Sequence, residues 1–575
     1  MRKGDGPSNE EIFSRKLSGL FFKIIFVFHN AILVFSLLIY NCKMSFSRIY
    51  SAQTHLLKGK IVTIEVDISK KTLHSFTIVG LPDKAVEESK DRMSSALKNS
   101  GFESPKNQNQ KIVISLSPAD LKKEGPYFDL AIALAYLLSA EEINFDPEGR
   151  IFLGELSLNG ELRPIKGALP LTQEAKKLGF KEIFLPVENA KEAALVDGIT
   201  IYGVKNLKEV IDHIYIIKKD KKGNPLEKER PKLTPFPKTE IVHKEKTGSI
   251  DFSDIKGQEG AKRGLEIAAA GGHNIAMSGP PGTGKTMLAR VFSQILPDLD
   301  KDDCLEITGI HSVVGLLEDA LITEPPFRAP HHTASYVSMI GGGTNPKPGE
   351  VTLAHRGVLF LDEFPEFEKK VLESLRQPLE DNIVSISRAR GSAIFPSNFI
   401  LVAAMNPCPC GNKGNKQKEC ICKPSDLDRY KRKLSGPIMD RIDIWVTVGN
   451  VDYEKLSSEI QEGEKTETIK ERVKRAREIQ AKRFSTQGNL MSGGKNSSRK
   501  INTNSEMNVK ELNIYAPLND DIKKLLNQSA ERLQLSARAY HRTIKLARTI
   551  ADLDGSKDIS QSHILEALQY RPREN

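Results

Sequence analysis

Residues 279–286 read Gly279-Pro-Pro-Gly-Thr-Gly-Lys-Thr286 and fit the pattern G-x-x-x-x-G-K-[ST] at every fixed position. A short apolar run, Asn274–Met277, precedes this stretch, and a helix-forming segment, Met287–Leu296, follows it. Glycines let backbone N–H groups curl around a phosphate at a helix N-terminus. The context therefore predicts a strand, a phosphate-binding loop and a helix at the start of a parallel α/β nucleotide-binding domain.

The side chains of this stretch predict ATP and Mg²⁺ as ligands. We expect Lys285 to reach the β- and γ-phosphates of ATP and Thr286 to bind the Mg²⁺ ion. The full set of predicted loop residues is Gly279, Pro280, Pro281, Gly282, Thr283, Gly284, Lys285 and Thr286.

Two further apolar segments end in polar residues, as a hydrolytic site would require. The segment VLFLDE ends in Asp362 and Glu363, and the segment LVAAMN ends in Asn406. We expect Asp362 to hold Mg²⁺ through water and Glu363 to polarise the attacking water. Asn406 is expected to orient that water, the role called sensor 1.

Two arginines are candidates for contact with the γ-phosphate. Arg441 follows the apolar turn LSGPIMD, and Arg538 begins a helical segment after Leu535 and Ser536. We expect Arg441 to act as an arginine finger on the nucleotide of a neighbouring subunit and Arg538 to contact the same phosphate. For either arginine alone, a surface ion pair is the simpler alternative.

The rest of the chain predicts a multidomain protein. With 575 residues, three or four domains are expected, and 39% hydrophobic with 27% charged residues excludes a collagenous or mostly disordered chain. The net charge of +10 is a weak argument for nucleic acid, because half of it lies in residues 218–250. We predict an α+β domain over 44–217, a charged Pro-rich linker over 218–250, an ATPase core over 251–448 and a C-terminal helical lid over 449–575 with a mobile loop at 486–509.

The first 43 residues contain Gly19–Tyr40, an apolar stretch long enough to span a bilayer. Its flanking lysines and arginines would place the nucleotide site outside, where ATP is not available. We therefore expect translation to start at Met44, with residues 1–43 as upstream sequence, and a cytoplasmic protein; a real membrane anchor in these residues is the alternative.

The motifs Val79-Gly-Leu-Pro82, Phe327-Arg-Ala-Pro-His-His-Thr333, Met405-Asn-Pro-Cys-Pro-Cys-Gly411 and Ser536-Ala-Arg538 resemble the ComM/YifB family of magnesium-chelatase-like AAA+ ATPases. The resemblance covers the chain from Met44 onward. It implies an N-terminal Lon-protease-like domain, a P-loop ATPase core with a parallel sheet and a C-terminal helical lid. It also implies a homo-hexameric DNA motor, a helicase that promotes branch migration in recombination and natural transformation.

The Lon-like domain departs from a protease at both positions of the Ser-Lys dyad. Tyr127 occupies the place of the serine, and Leu169 that of the lysine, with Lys166 three positions early. A tyrosine beside a leucine gives neither nucleophile nor base. We expect a structural or DNA-guiding module without protease activity.

Two segments are candidates for sequence-independent contact with single-stranded or branched DNA. Residues 383–399 predict a hairpin with Arg388 and Arg390 at its tip, where they would track phosphates; a solvated tip is the alternative. The insertion 327–347 predicts a flexible second pore loop with Tyr336 and Lys347. Its adjacent histidines, His331 and His332, are a weaker candidate for a metal pair.

Four of the six cysteines form two C-x-C pairs, Cys408/Cys410 and Cys420/Cys422. Four thiolates suit tetrahedral Zn²⁺, although C-x-C is tighter than the usual C-x₂-C spacing. Reduced structural cysteines and a redox pair remain alternatives.

Three functions are compatible with these motifs. The first is a DNA-stimulated ATPase, and the alternatives are a magnesium-chelatase-type ATPase subunit and an ATP-dependent protein remodeller. The arginine hairpin favours DNA, and the effect of each candidate substrate on ATPase activity discriminates the three.

Overall fold

The structure is a computed structural model that describes residues 46–217, 228–242, 250–343, 345–388, 391–414, 418–451, 463–491 and 501–572. The predicted extension 1–43, both ends of the predicted linker and Arg390 lie outside the described residues. Among the described residues, no helix has the length and apolar character needed to cross a membrane.

The N-terminal unit is built on a mixed seven-stranded sheet of order β3-β4-β2-β1-β5-β8-β9. Its long central pair, β1 and β2, is antiparallel, and β5, β8 and β9 run parallel to β1. Alternation along residues 61–68 predicts a half-buried strand, and Val62, Ile64 and Val66 are indeed buried in β2. The strands are β1 Phe46–His55, β2 Lys58–Lys70, β3 Ser75–Val79, β4 Gln110–Ser117, β5 Arg150–Phe152, β6 Glu155–Leu156, β7 Leu162–Arg163, β8 Glu182–Pro186 and β9 Thr200–Val204.

Helices cover this sheet. The apolar helix that the sequence predicts from Asp129 is buried along almost its whole length in the core of the unit. In the sequence, residues 151–158 and the turn Asn159-Gly160 predict a hairpin. Its first part is wrong, because Ile151 belongs to the large sheet and only β6 and β7 form the hairpin. The helices are α1 Lys84–Glu87, α2 Ser89–Asn99, α3 Asp129–Ser139, α4 Ala168–Lys177, α5 Val187–Ala193 and α6 Leu207–Ile214.

The middle of the predicted linker is attached to the N-terminal unit. The backbone N–H of Phe236 donates to the carbonyl of Ile201 at 2.7 Å, and that of Thr239 donates to Ala194 at 3.1 Å. Residues 228–242 therefore follow the surface of the N-terminal unit without forming a helix or strand of their own.

The central unit contains a five-stranded parallel sheet of order β11-β14-β17-β10-β18, which confirms the predicted α/β core. All residues of β14 and β17 are buried, as expected for strands covered on both faces. The strands are β10 Ile275–Ser278, β11 Phe327–Arg328, β12 Gly341–Gly342, β13 Lys347–Pro348, β14 Val358–Leu361, β15 Ile383–Arg388, β16 Gly391–Pro396, β17 Ile400–Met405 and β18 Ile444–Thr447. The helices are α7 Glu259–Gly271, α8 Lys285–Gln294, α9 Lys301–Val314, α10 Tyr336–Ile340, α11 Glu350–Leu353, α12 Lys369–Ser374, α13 Arg376–Asp381, α14 Pro424–Lys431 and α15 Gly436–Met439.

The C-terminal unit is helical, as predicted, and packs against α7 and the parallel sheet. Asp443, just before β18, accepts a hydrogen bond from Arg542 at 2.5 Å and from the backbone N–H of Asn274 at 3.2 Å. The helices are α16 Thr466–Met491, α17 Val509–Tyr515, α18 Asp520–Arg532, α19 Ala537–Leu553 and α20 Gln561–Gln569.

The mobile loop predicted at 486–509 is wrong at both ends. Residues 486–491 continue α16, and residues 501–509 are folded, with Asn504 fully buried. The side-chain amide of Asn504 donates to Asp552 at 2.8 Å and to the hydroxyl of Thr549 at 3.1 Å, and its backbone N–H donates to Oε1 of Gln480 at 2.9 Å. Polar residues of this segment are therefore part of the core. Residues 492–500 lie outside the described residues.

The N-terminal unit contacts the central unit through a buried carboxylate. Glu192 of α5 accepts hydrogen bonds from the backbone N–H of Leu169 at 2.7 Å and from the hydroxyl of Ser312 in α9. Burial raises the pKa of Glu192 above its ordinary value. A second contact joins Asn345 of the central unit to Glu124 at 2.6 Å.

Candidate functional site

The predicted phosphate loop joins β10 to α8 at the centre of the parallel sheet. Gly284 precedes α8 with a left-handed φ of 86°. Gly279 approaches the Val448 carbonyl so closely that an added Cβ would lie 2.0 Å from its oxygen. Both positions therefore require glycine. The rest of the loop lies between them and consists of Pro280, Pro281, Gly282 and Thr283.

The Lys285 side chain lies inside this loop. Its Nζ donates to the carbonyl oxygens of Gly279 at 2.7 Å and Pro280 at 2.8 Å, and to Oδ1 of Asn406 at 3.2 Å. Burial lowers the pKa of Lys285, while the charge of Asp362 opposes that shift. The structure therefore brings together two predicted site residues that are 121 positions apart.

Thr286 and Asp362 are also in contact. The Thr286 hydroxyl donates to Oδ2 of Asp362 at 3.0 Å, directly beyond the end of β14. Hydroxyl and carboxylate oxygens are the donors that Mg²⁺ prefers. This pair fits the magnesium ion that the sequence predicts.

Glu363 is paired with a histidine from the insertion. Oε2 of Glu363 lies 3.0 Å from Nδ1 of His332, and Glu363 adopts a left-handed φ of 52°. The neighbouring His331 instead shares a hydrogen bond with Thr333 at 2.9 Å. The two imidazoles thus have different protein partners, which does not support their use as a joint metal pair.

The two predicted arginines meet at one carboxylate. Arg441 and Arg538 both form ion pairs with Glu380 of α13, the second at 3.2 Å. Arg441 is buried and also donates to the Pro437 carbonyl at 2.7 Å, whereas Arg538 is half-exposed. Arg441 is thus held by contacts within this chain rather than presented at the surface.

The four cysteines form one compact cluster. Sγ of Cys408 lies 3.4 Å from Sγ of Cys410 and 3.7 Å from that of Cys420, and Cys410 and Cys420 are 3.6 Å apart. The ligand atoms of all four, Cys422 included, lie within 4.8 Å of one another. A backbone hydrogen bond from Asn412 is the largest cause that lowers the pKa of the Cys410 thiol to about 6. The donor set fits a thiophilic divalent cation such as Zn²⁺.

The predicted arginine hairpin is present as the antiparallel pair β15 and β16. Arg388 pairs with Gly391 at its end, and the hairpin lies between α13 and β17 in the chain. The side chain of Arg388 and the whole of Arg390 lie outside the described residues.

The insertion is not the flexible loop that the sequence predicts. Tyr336 begins the short helix α10 and packs against the core, with Nζ of Lys370 5.1 Å from its ring centre. Lys347 is exposed on β13, which pairs with β12. Glycines permit this fold, since a Cβ on Gly349 would lie 2.4 Å from the backbone nitrogen of Gly341.

The residues at the protease positions of the N-terminal unit have structural contacts. Tyr127 packs against the apolar cores, with its hydroxyl 3.5 Å from that of Thr54, and burial raises its pKa. Leu169 is fully buried, and Nζ of Lys166 donates to the Val314 carbonyl at 3.3 Å. Lys166 therefore points to the central unit.

Three contacts at this site escape sequence reasoning. His332, which the sequence suggests as a loop residue or a metal ligand, contacts Glu363 instead. Glu380, the partner of both arginines, belongs to no recognisable motif. Tyr430 lies in helix α14, which has no sequence signature, and its hydroxyl donates to the backbone carbonyl of Asn406 at 2.9 Å. The position of His332 in the insertion before the Asp-Glu strand is the only sequence signal for these three.

Three family models match the chain. Residues 251–456 match the model described as "Magnesium chelatase, subunit ChlI", residues 64–189 match "Subunit ChlI of Mg-chelatase", and residues 463–571 match "Magnesium chelatase, subunit ChlI C-terminal".

Curated relatives match over nearly the whole described chain. The competence protein ComM of Haemophilus influenzae is 40% identical over 530 residues, which cover 92% of this chain and 98% of that protein. The uncharacterized protein YifB of Escherichia coli is 40% identical over 531 residues, covering 92% and 97% respectively. A local match to Lon protease 2 of Bacillus subtilis is 36% identical over 101 residues, which cover 17% of this chain and 18% of that protein.

Proposed function

The chain belongs to the ComM/YifB family of magnesium-chelatase-like AAA+ ATPases, and from this membership we propose that it couples ATP hydrolysis to movement along DNA. The family supports the ATPase part directly. The DNA part, in recombination or natural transformation, rests on the resemblance together with the placement of the hairpin.

The observation that carries the ATPase proposal is the meeting of three strand ends. Lys285 follows β10, Asp362 follows β14 and Asn406 follows β17, and these strands are neighbours in the order β14-β17-β10. The contacts Lys285–Asn406 and Thr286–Asp362 bring cation, hydroxyl, carboxylate and amide together at one edge of the sheet.

Each side chain has a separate task in this proposal. Lys285 neutralises phosphate charge, Asn406 orients the attacking water and Glu363 polarises it. Mg²⁺, when bound by Thr286 and Asp362, offsets the charge that develops on the transferred phosphoryl group. His332 restrains the carboxylate of Glu363 through the contact at 3.0 Å.

A homo-hexamer would complete this site with arginines from the next subunit. Arg441 and Arg538 share Glu380, so both predicted γ-phosphate contacts lie beside one carboxylate. A phosphate of the neighbouring subunit can replace Glu380 as their anionic partner. Arg441 must leave its buried position for this exchange.

DNA contact is assigned to the hairpin because of its place between two catalytic elements. β15 follows the helices after Glu363, and β16 leads into β17, which ends before Asn406. A movement of Asn406 on hydrolysis of the γ-phosphate can therefore reach the hairpin tip with Arg388 and Arg390 through β17 and β16. Two arginines there would track phosphates without reading bases. Lys347 on β13 is a second positively charged residue that could contact the same DNA strand. Tyr336 is a weaker candidate for DNA contact because its ring packs against the protein core.

Zn²⁺ is proposed as a second, structural metal, supported by the sulfur–sulfur distances of 3.4–3.7 Å. We place the protein in the cytoplasm, where ATP is available and thiols stay reduced.

Steady-state ATPase assays test the proposal and its alternatives. The rate is measured with single-stranded DNA, branched duplex DNA, unfolded protein or porphyrin added, and strand displacement is measured in parallel. Stimulation by DNA with strand displacement is expected. Stimulation by unfolded protein alone would favour a protein remodeller, and stimulation by porphyrin alone a chelatase-type subunit.

A further inference from the structure

The cysteine cluster lies directly beside the ATP site. Cys408 comes two residues after Asn406, and the turn from Cys408 to Gly411 is closed by a backbone hydrogen bond of 2.9 Å. This turn packs on the phosphate loop, because a Cβ added to Gly411 would lie 2.6 Å from Cδ of Pro281. The turn that carries the first cysteine pair thus contacts, through Gly411, the loop that holds Lys285.

The helix that follows the second cysteine pair contacts Asn406. Helix α14 follows Cys422, and the hydroxyl of Tyr430 in this helix donates to the backbone carbonyl of Asn406 at 2.9 Å. Both ends of the cysteine-bearing segment are therefore attached at Asn406. The side chain of that asparagine in turn accepts from Lys285.

The cluster has the geometry of a tetrathiolate metal site. Zn–S bonds of about 2.3 Å place tetrahedral sulfurs about 3.8 Å apart, close to the three measured distances. Backbone N–H groups of Lys413 and Cys410 donate to the sulfurs of Cys408 and Cys422 at 3.3 and 3.4 Å. Such outer hydrogen bonds orient metal ligands.

We propose that Zn²⁺ bound by these four cysteines braces Asn406 and Pro281, so that loss of the metal slows ATP turnover more than it weakens ATP binding. This inference rests on the proposed ATPase function. Without the metal, the two halves of the segment separate, and the turn at Gly411 no longer supports the phosphate loop. Lys285 and the loop amides still bind phosphate, but Asn406 is no longer held in place. A displacement of about 1 Å in a positioning group costs up to about 100-fold in rate.

The test compares the variants Cys420→Ser and Cys422→Ser with Cys304→Ala, whose buried thiol lies in α9 outside the cluster. Metal content is measured by mass spectrometry on the purified protein, and kcat and the Kd for a fluorescent ATP analogue are determined. The wild-type protein and Cys304→Ala are expected to carry one zinc per chain. The two cluster variants should lose it, with kcat at least about tenfold lower and Kd changed less than threefold.

Hydrogen exchange on the intact wild-type protein gives a readout that does not depend on turnover or on the folding of variants. Removal of the metal by a chelator should accelerate exchange in peptides covering residues 279–284 and 406–411, and added Zn²⁺ should restore protection. Protein that is metal-free or disulfide-bonded when purified under reducing conditions would overturn the proposal. Unchanged exchange after metal loss, or full kcat in both cluster variants, would overturn it as well. Wild-type protein that binds zinc and shows the exchange response but no ATPase activity would contradict the proposed function and leave the brace intact.

Discussion

His332 Nδ1 lies 3.0 Å from Oε2 of Glu363, so the insertion before β14 contacts the carboxylate that we assign to the attacking water. The two residues are 31% and 54% exposed in their side chains, which leaves Glu363 access to water. The insertion that carries Tyr336 and Lys347 can therefore influence the position of Glu363 through one imidazole.

Replacing Glu363 with glutamine should preserve ATP binding and stop turnover. The amide keeps the shape of the side chain but cannot polarise water as a carboxylate does, and such groups contribute about 10² to 10⁴ in rate. Nucleotide affinity and kcat are measured on the same preparation. Glu366→Gln, three positions on, is the matched control and should retain activity within a few-fold. Wild-type turnover in Glu363→Gln would remove Glu363 from its role.

Lys285→Ala should abolish nucleotide binding. The ammonium group meets phosphate in the ground state, so its loss lowers affinity as well as rate. Binding of a fluorescent ATP analogue measures the effect, with Lys523→Ala on the exposed face of α18 as control. Undiminished affinity in Lys285→Ala would contradict our assignment of the phosphate loop.

Arg441 should act on the site of the neighbouring subunit. Neither Arg441→Ala nor Lys285→Ala alone should hydrolyse ATP appreciably. Mixed oligomers are expected to regain ATPase activity at interfaces where the phosphate loop of an Arg441→Ala subunit meets Arg441 of a Lys285→Ala subunit. Activity is measured across mixing ratios. A full rate for Arg441→Ala alone would place the finger elsewhere, with the exposed Arg432 as the next candidate.

The double variant Arg388→Ala/Arg390→Ala should uncouple ATP hydrolysis from DNA. Basal ATPase activity should survive, whereas DNA stimulation and strand displacement should collapse. Phosphate contacts are driven by charge, so DNA affinity should fall to the same extent for all DNA sequences. The slope of the logarithm of the binding constant against the logarithm of the salt concentration should become shallower by about one unit per lost contact. Normal unwinding by this variant would shift the assignment to Lys347 and the insertion.

Asp443→Asn should destabilise the attachment of the C-terminal helices. Burial alone would raise the pKa of Asp443, but Arg542, His273 and Arg571 together outweigh burial and hold that pKa far below its ordinary value. Breaking such a pair should cost about 3 kcal/mol. Because the folded pKa is depressed, this stabilisation is present above about pH 4 and is lost as the pH falls further.

Thermal unfolding at pH 7 and at pH 3 measures this effect. Asp520→Asn, at the exposed start of α18, is the control and should change stability by less than about 0.5 kcal/mol. A difference between wild-type protein and Asp443→Asn that persists undiminished at pH 3 would contradict the assigned pair.

The sequence was sufficient for the parts of the site that follow from local chemistry. A glycine-rich loop before a helix and carboxylates after an apolar strand are short-range patterns, and parallel strands bring their ends to one edge. The contacts of Glu380 with Arg441 and Arg538 join residues 61 and 158 positions apart, and no local pattern encodes them.

The errors have a similar physical cause. Composition predicts mobility for polar stretches, yet Asn504 is buried because Asp552 and Gln480 satisfy its hydrogen bonds. The glycines of the insertion suggest a flexible loop, but they allow two backbone segments to approach closely and fold. In both cases, whether the segment is folded depends on contacts with residues that are distant in the sequence, which a local sequence pattern does not reveal.

The buried carboxylate of Glu192 limits how this protein can be recombined with its relatives. Its hydrogen-bond partner Ser312 belongs to the ATPase core, so this contact between two domains depends on the acid and the hydroxyl together. A chimaera that takes the N-terminal domain from a relative lacking this acid leaves Ser312 facing a foreign surface, whereas exchange of both positions together preserves the joint. The two domains have separate cores, but exchanging one of them requires a matching residue at the position of Glu192 or Ser312.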